Sequence, residues 1–170
     1  SHSSSSAPSS WAWPQRERRR AVVAAATPTA FHRRLKRFHA GWRDASTYAF
    51  VIVDKDDRIL LGGITLSNVR RGVAQSGSIG YWIGEPHTRN GYMGESVQLM
   101  LTFAFDTLRL HRVEAACLPS NEASRAVLLK AGFTQEGLAR RYLRINGEWR
   151  DHLTFGILRT DPRPSVPVYV

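Results

Sequence analysis

The segment of residues 79–133 constrains the fold of this chain more than any other. It reads as a strand, a glycine-bearing turn, an apolar helix, a second short strand and a helix with a capping residue at its start. This order predicts a βαβα unit in which both helices begin at the same end of a sheet. Helix N-termini carry free N–H groups and a positive dipole end. That end of the sheet is therefore suited to an anionic ligand.

The first strand of this unit, 78–84, is predicted to have one bulky face and one face with room beside its backbone. Successive side chains point to opposite faces, and they run in the order Ile79, Gly80, Tyr81, Trp82, Ile83, Gly84. Glycine within a strand often marks a bulge or the close approach of a ligand. The alternative is an ordinary core strand whose two glycines serve packing.

The turn that follows, 88–94, contains Gly91 and Gly94, so its backbone can direct several N–H groups at one point. The next helix has one apolar stripe at helical spacing, made of Met93, Val97, Met100, Leu101, Ala104, Phe105 and Leu108. Its first turn could hold a phosphate, with Arg89 adding a charge-assisted contact. A plain structural turn is the alternative. The sequence lacks both the Walker loop and the dinucleotide glycine fingerprint.

The second helix of the unit has a clear start and end. Asn121 is a good N-cap, and Ser124 lies three residues beyond it. The helix is predicted to end at Gly132, which suits the left-handed residue after a helix. An Asn121 that only caps the helix remains the alternative to one that also binds a ligand.

The N-terminal part of the chain gives fewer signals. Residues 1–28 begin with a polar, serine-rich stretch and are predicted to be disordered or divergent, because Val22-Val23 is too short for a strand. A helix is predicted from Thr29, with the apolar stripe Phe31, Leu35, Phe38 and Trp42.

The remaining strands are predicted to pair mostly antiparallel. Two lie at Tyr48–Val53 and Ile59–Val69, with a bulge or kink at Gly62-Gly63. Two more, Glu136–Ile145 and Glu148–Leu158, are joined by Asn146-Gly147, a strong hairpin signal. Residues 161–170 are predicted to form a flexible tail.

Composition limits the classes of protein. The chain of 170 residues fits one domain, and no apolar run approaches the roughly 20 residues that a membrane helix needs. Its one cysteine, Cys117, allows no internal disulfide, so the protein is predicted to be located in a reducing cytoplasm. The net charge of +10 favours acidic partners such as coenzyme A, ribosomal RNA or acidic peptides. An arginine-rich genome that places arginines on a solvated face explains the charge equally well.

Taken together, these motifs resemble the GCN5-related N-acetyltransferase (GNAT) superfamily. Within it, the chain is most similar to the ribosomal-protein N-terminal acetyltransferases of the RimJ and RimL branch, closer to RimJ. The resemblance covers about residues 29–160, the predicted catalytic domain, and rests on 80–84, 88–93, 111–115, 121–125, 132–133, 136–137 and 149–152. It implies an α/β (α+β) fold with a mixed, mostly antiparallel sheet, a central splayed parallel pair and flanking helices.

The resemblance also implies where acetyl-CoA binds. The cofactor lies between the strands at 78–84 and 112–118, with the pyrophosphate on the glycine turn. The implied cofactor-binding residues are Tyr81, Trp82, Ile83, Arg89, Asn90, Gly91, Tyr92, Met93, Gly94, Cys117, Asn121 and Ser124. The family motif has Gln or Arg where this chain has Thr88, and Gly or Ala where it has Met93. Because the family binds the pyrophosphate mainly through backbone N–H groups, we expect the binding site to be retained despite both differences from the motif.

The implied chemistry is direct acetyl transfer from sulfur to an amine without a metal. Many relatives place a tyrosine at the position of Leu128, whereas the ribosomal-protein branch has a serine at the position of Ser124. We therefore expect Asn121 to orient the pantetheine and Ser124 to hydrogen-bond the sulfur. An N–H group of the 78–84 strand, or of a residue just after it, would stabilise the oxyanion.

The general base is less well defined. Glu85, after the central strand, is the first candidate, and Glu136 is the second. Either carboxylate could equally be a surface group. Cys117 could contact the cofactor or be a buried strand residue, and Asp151 and His152 fit packing between strands.

The resemblance implies an acceptor that is the N-terminal α-amine of a ribosomal or similar protein. Two alternatives stay open: a small-amine acetyltransferase, for an antibiotic or a polyamine, and a non-catalytic acyl-CoA-binding or nucleic-acid-associated domain. We expect a cytoplasmic monomer or homodimer with no membrane contact and with weak RNA contact through its basic surface.

Overall fold

The computed structural model describes residues 21–25, 44–54, 60–83 and 91–164. Two α-helices lie in these residues, α1 (Tyr92–Thr102) and α2 (Glu122–Ala131), and a π-helix, Phe103–Thr107, continues α1. The strands are β1 (Ala21–Ala25), β2 (Tyr48–Asp54), β3 (Leu60–Arg70), β4 (Ser76–Ile83), β5 (Arg112–Cys117), β6 (Thr134–Ile145) and β7 (Glu148–Leu158). The predicted helix from Thr29 lies outside the described residues.

Within this described part of the chain, the strands form a single mixed sheet in the order β1-β2-β3-β4-β5-β7-β6. The neighbours β4 and β5 run parallel, and every other recorded pair is antiparallel. The predicted fold class is therefore confirmed. A parallel pair requires a crossover connection, which α1 provides between β4 and β5.

The prediction that residues 21–25 hold no strand was wrong. Ala21–Ala25 form β1, which pairs antiparallel with β2 from Ala21 opposite Asp54 to Ala25 opposite Phe50. The segment has weak strand propensity, but strand formation depends strongly on the neighbouring strand. Here β2 supplies the pairing that the alanines do not themselves favour.

The helix α1 packs its predicted apolar stripe into the core. Val97, Leu101 and Phe105 are buried along this stripe. The last turn, Phe103–Thr107, is a π-helix rather than the α-helix that the spacing predicted. Its Phe103 ring makes edge contacts with Tyr48 and Phe50 of β2, both at 5.3 Å between ring centroids. These contacts fix the C-terminal end of the helix against the sheet.

Two glycines of β3 allow β4 to lie unusually close. A Cβ at Gly62 would be 2.2 Å from the carbonyl oxygen of Trp82, and one at Gly63 would be 2.8 Å from the indole nitrogen of Trp82. The register between β2 and β3 also shifts beside Gly62, where Leu61 is the extra residue. The prediction of a bulge or kink at this place is confirmed.

The hairpin of β6 and β7 forms as predicted. Asn146 and Gly147 have φ angles of 50° and 83°, the left-handed values that a tight primed turn requires. The strand β6 is irregular at two points, between Gln135 and Gly137 and between Ala139 and Leu143. No helix in the described ranges is long and apolar enough to cross a membrane.

Candidate active site at the parting of the sheet

The parallel strands β4 and β5 pair over a short distance and then separate. Their register covers only Ser76–Ser78 against Arg112–Glu114. Beyond it, β4 continues to Ile83 and β5 continues to Cys117 without pairing between the two. The sheet therefore opens between the C-terminal halves of these strands, at the end where both helices begin. This is the predicted splayed pair.

The start of α1 lies open at this end of the sheet. Gly91 precedes the helix in a left-handed conformation (φ 77°), and no side chain caps the helix. A Cβ added to Gly91 or Gly94 would meet no atom of the described residues within 4 Å. The N–H groups of Met93 and Gly94 lie in the first turn, where an α-helix offers them no intrahelical acceptor. Open backbone N–H groups at a positive dipole end suit a phosphate.

The start of α2 is capped as predicted. The Asn121 side-chain oxygen Oδ1 accepts a hydrogen bond from the Ser124 N–H at 3.1 Å. This bond fixes the first turn of the helix and leaves the Ser124 hydroxyl free for other contacts. At the other end, Gly132 takes a left-handed conformation with φ of 107°.

A tyrosine of β4 reaches the serine of α2 across the parting. The Tyr81 hydroxyl lies 2.6 Å from Ser124 Oγ and 3.4 Å from the Ser124 carbonyl oxygen. Burial raises the pKa of Tyr81, although the hydrogen bond with Ser124 acts in the opposite direction. The phenol therefore keeps its proton at neutral pH and can donate it to Ser124 Oγ.

Cys117 lies beside this pair at the end of β5. Its side chain is buried, with 5% of the residue exposed. Burial raises the pKa of the thiol, and the hydrogen bond with Ser124 and the charge of Arg125 only partly oppose this. The thiol is consequently protonated at neutral pH. A protonated, buried thiol is a poor nucleophile.

The predicted site residues therefore divide into three groups: those at the parted end, those of β4 that point elsewhere, and those outside the described residues. Tyr81, Cys117, Asn121 and Ser124 lie together at the parting, and Gly91–Gly94 form the start of α1. Trp82 points to the opposite face of β4, where its indole lies against Gly63, whereas Ile83 packs partly into the core. The third group, Glu85, Arg89 and Asn90, lies outside the described residues.

The second candidate base, Glu136, is bonded to Arg112, the first residue of β5. It is the extra residue of the first β6 bulge, and its carboxylate forms two hydrogen bonds with the Arg112 guanidinium, one of them at 2.9 Å. Arg112 holds the pKa of Glu136 below its ordinary value, which makes the carboxylate a weaker base.

Other polar residues of the hairpin act within it. His152 is buried, and its Nδ1 lies 2.9 Å from the Arg150 carbonyl oxygen. The Asp151 carboxylate accepts the Arg141 N–H at 2.8 Å. Both contacts agree with the predicted packing role. Among the described residues, no group of three or more His, Cys, Asp or Glu could hold a metal ion.

The bond between Tyr81 and Ser124 was not predicted as such. Alternation along the strand placed Tyr81 on the same face as Ile79 and Ile83, which was the available signal. The two residues lie 43 positions apart, so only the fold shows that the hydroxyl groups meet.

A parted parallel pair with two helix starts beside it is the arrangement that the resemblance to acetyl-CoA-binding acetyltransferases implied. Comparison with known proteins supports the same family. The family model described as an acetyltransferase (GNAT) domain matches residues 5–134. The chain therefore belongs to the GNAT acetyltransferase family.

Two individual relatives show how similar the chain is to named acetyltransferases. The chain is 43% identical over 114 residues to the probable N-acetyltransferase YjcK of Bacillus subtilis, covering 67% of this chain and 63% of that protein. It is 31% identical over 138 residues to the [ribosomal protein uS5]-alanine N-acetyltransferase of Escherichia coli, covering 81% and 71%.

A solved structure gives a similar result. Mycobacterium smegmatis RimJ in complex with CoA-disulfide superposes with a TM-score of 0.69 at 38% identity, covering 72% of this chain and 58% of that one. The chain thus spans less than two thirds of the length of both YjcK and this RimJ.

Proposed function

We propose that this chain is an acetyl-CoA-dependent N-acetyltransferase that acetylates the N-terminal α-amine of a ribosomal or similar protein. The observation that carries the proposal is the bond between Tyr81 and Ser124 across the parting of β4 and β5. It places a hydroxyl group of α2, held by a phenol of β4, beside the parted strands.

Acetyl-CoA fits the groups at this end of the sheet. The pyrophosphate would be held by the N–H groups of residues 92–94, where Gly91 and Gly94 leave space for a close approach. The pantetheine would lie in the parting and pass Asn121, with its sulfur near Ser124. Arg89 and Asn90 belong to this proposal from the sequence alone.

The acetyl transfer forms a carbon–nitrogen bond and breaks the carbon–sulfur bond of the thioester. The thiolate that leaves would accept a hydrogen bond from Ser124 Oγ when the Tyr81 hydroxyl donates to Oγ, which their 2.6 Å separation allows. Tyr81 does not give up its proton in this step. Its pKa lies above the ordinary value of about 10, whereas that of a thiol is about 8.5. The proton lost by the amine balances the one gained by the thiolate.

The acceptor amine must be neutral to attack. An N-terminal α-amine has a pKa of about 7.7–8.0, so more than a tenth of it is neutral near pH 7.1, whereas a lysine amine at about 10.4 is almost fully charged. An α-amine therefore needs only modest help from a base, for which Glu85 is the candidate. The net charge of +10 also disfavours polyamine acceptors.

The named activity of a relative supports the acceptor class. The Escherichia coli relative acetylates an alanine of ribosomal protein uS5, as its name states, and aligns with 81% of this chain. The Mycobacterium smegmatis RimJ structure, which contains CoA-disulfide, aligns with the same fold. An N-terminal alanine of a ribosomal protein is accordingly the first acceptor to test.

The test measures thiol release from acetyl-CoA with a panel of peptides that correspond to ribosomal-protein N-termini. We expect turnover with free N-termini and none with the same peptides carrying a blocked α-amine. Ser124→Ala should lose turnover but keep the thermal stabilisation by acetyl-CoA. Turnover of small amines alone would show that the acceptor is a small molecule. Thermal stabilisation by acetyl-CoA without turnover of any amine would show that the chain is a binding domain.

A further inference from the structure

The far part of the β6–β7 hairpin extends beyond the rest of the sheet. The strand β5 pairs with β7 only over residues 153–158, so residues 139–152 pair only with each other among the described strands. We call these residues the distal ribbon. Both of its faces are open over most of its length, and His152 is its buried residue.

The distal ribbon carries unpaired positive charge. Its four arginines are Arg140, Arg141, Arg144 and Arg150, and its two acidic residues are Glu148 and Asp151. Glu148 lies 3.8 Å from Arg150, and Asp151 accepts a backbone N–H. Within the described residues, the guanidinium groups of Arg140, Arg141 and Arg144 have no carboxylate partner.

Two exposed aromatic rings lie among these arginines. Trp149 is 61% exposed and Tyr142 is 49% exposed. Trp149 stands directly opposite Arg144 in the ladder, so both side chains project from the same face. The Tyr142 ring makes an edge contact with the buried His152 at 5.9 Å, which supports the ring without covering it. Exposed rings beside arginines are the arrangement that stacks unpaired bases and neutralises phosphates.

We propose that the distal ribbon binds single-stranded RNA. A second copy of the chain is a poor occupant, because pairing of the β6 edges would bring their arginines together. An acidic peptide would use the charges but not the rings, and a duplex hides the faces of its bases. The choice of RNA over single-stranded DNA rests on the proposed ribosomal-protein acceptor, which is assembled with RNA.

The experiment measures fluorescence anisotropy of a labelled 12-nucleotide oligouridine with the full chain, without acetyl-CoA or peptide. Each arginine that contacts a phosphate contributes about −0.7 to the slope of log K against log salt. Replacing both Arg140→Gln and Arg144→Gln should therefore flatten the slope by about 1.4. Trp149→Ala should weaken binding about 5- to 150-fold, whereas Trp149→Phe keeps most of it.

Matched controls lie elsewhere on the surface. Arg159→Gln removes an exposed arginine beyond the other end of β7, and Leu129→Ala removes an exposed apolar side chain of α2. Neither should change the affinity or the slope, and circular dichroism confirms that every variant is folded. Unchanged binding by Trp149→Ala would overturn the proposal, as would equal affinity for polyglutamate, for duplex RNA or for a DNA 12-mer. Because no acetyl transfer occurs in this assay, its failure is separate from failure of the proposed activity.

Discussion

The two ends of β5 are built in opposite ways. At its start, Arg112 is bonded to Glu114 and Glu136, and the strand has hydrogen-bonded neighbours on both sides. At its end, Cys117 lies where β4 has turned away, beside the neutral hydroxyl groups of Tyr81 and Ser124. The first end holds paired charges and a continuous ladder, which serve stability. The second end gives up strand pairing and keeps neutral polar groups, which suits a substrate thioester.

Glycine placement reinforces this contrast. At the paired end, a Cβ on Gly156 would lie 2.6 Å from the Arg112 guanidinium and from the Glu136 carboxylate, so the ion pair crosses β7 directly above its backbone. At the parted end, a Cβ on Gly80, Gly91 or Gly94 would meet nothing within 4 Å in the described part of the chain. The ion pair occupies the space beside Gly156, whereas none of the described residues occupies the space beside the other three glycines.

The largest expected effect is that of Ser124→Ala at the parted end. Loss of one hydrogen-bond donor to a developing negative charge lowers kcat by about 100- to 1,000-fold. The KM for acetyl-CoA should change much less, because the pyrophosphate contacts are elsewhere. Steady-state thiol release with a free N-terminal peptide measures both constants. A change in KM alone would show that Ser124 only binds the cofactor.

The next effect is that of Tyr81→Phe, which removes the hydroxyl that orients Ser124. A neutral hydrogen bond contributes about 0.5–1.5 kcal/mol, so kcat should fall about 2- to 12-fold. In the double variant with Ser124→Ala, the tyrosine change should cost nothing further, since the two residues act as one unit. Additive losses in kcat would contradict the positioning role of Tyr81.

Stability should depend on pH differently at the two ends. Because Arg112 holds the folded pKa of Glu136 below the unfolded value of about 4.3, the pair stabilises the fold above that pH. The stabilisation is lost as the pH falls through the folded pKa. Glu136→Gln should therefore lower the unfolding free energy at pH 7 by up to about 1 kcal/mol, since the pair is partly exposed. Urea unfolding between pH 3 and 7 measures this.

The contribution of the parted end to stability should instead change at alkaline pH. Burial raises the folded pKa of Tyr81 above its unfolded value of about 10, so its stabilisation is complete below that pH and is lost as the pH rises through the folded pKa. Tyr81→Phe serves as the matched variant and should reduce the alkaline loss without changing the acid one. If Tyr81→Phe instead changed the acid loss of stability and left the alkaline loss unchanged, the proposed difference between the two ends of β5 would be wrong.

The smallest effect is expected for Cys117→Ala. The buried, protonated thiol is a poor nucleophile, so we expect direct transfer and a change in kcat of less than about threefold. Mass spectrometry of the enzyme during turnover should show no acetylated cysteine. An acetyl adduct on Cys117 that forms and decays at the rate of turnover would instead establish a covalent route.

Local signals predicted the local features. The Asn146-Gly147 turn, the Asn121 cap and the stripe on α1 each depend on residues close in sequence, and all three are confirmed. Features set by distant partners could not be predicted in this way. Strand β1 forms because β2 offers its edge, and Glu136 meets Arg112 because a bulge and Gly156 bring them together. The contact between Tyr81 and Ser124 likewise depends on the parting of two strands.

Hydrogen–deuterium exchange with and without acetyl-CoA tests the central claim most directly. If the parted end binds the cofactor, the amides of Met93 and Gly94 should gain protection, because the first turn of a helix gives them no intrahelical acceptor and the phosphate would provide one. Residues 79–83 and 115–117 should follow, whereas residues 134–145 of β6 should not change. Protection confined to β6, or no protection at the start of α1, would contradict the account.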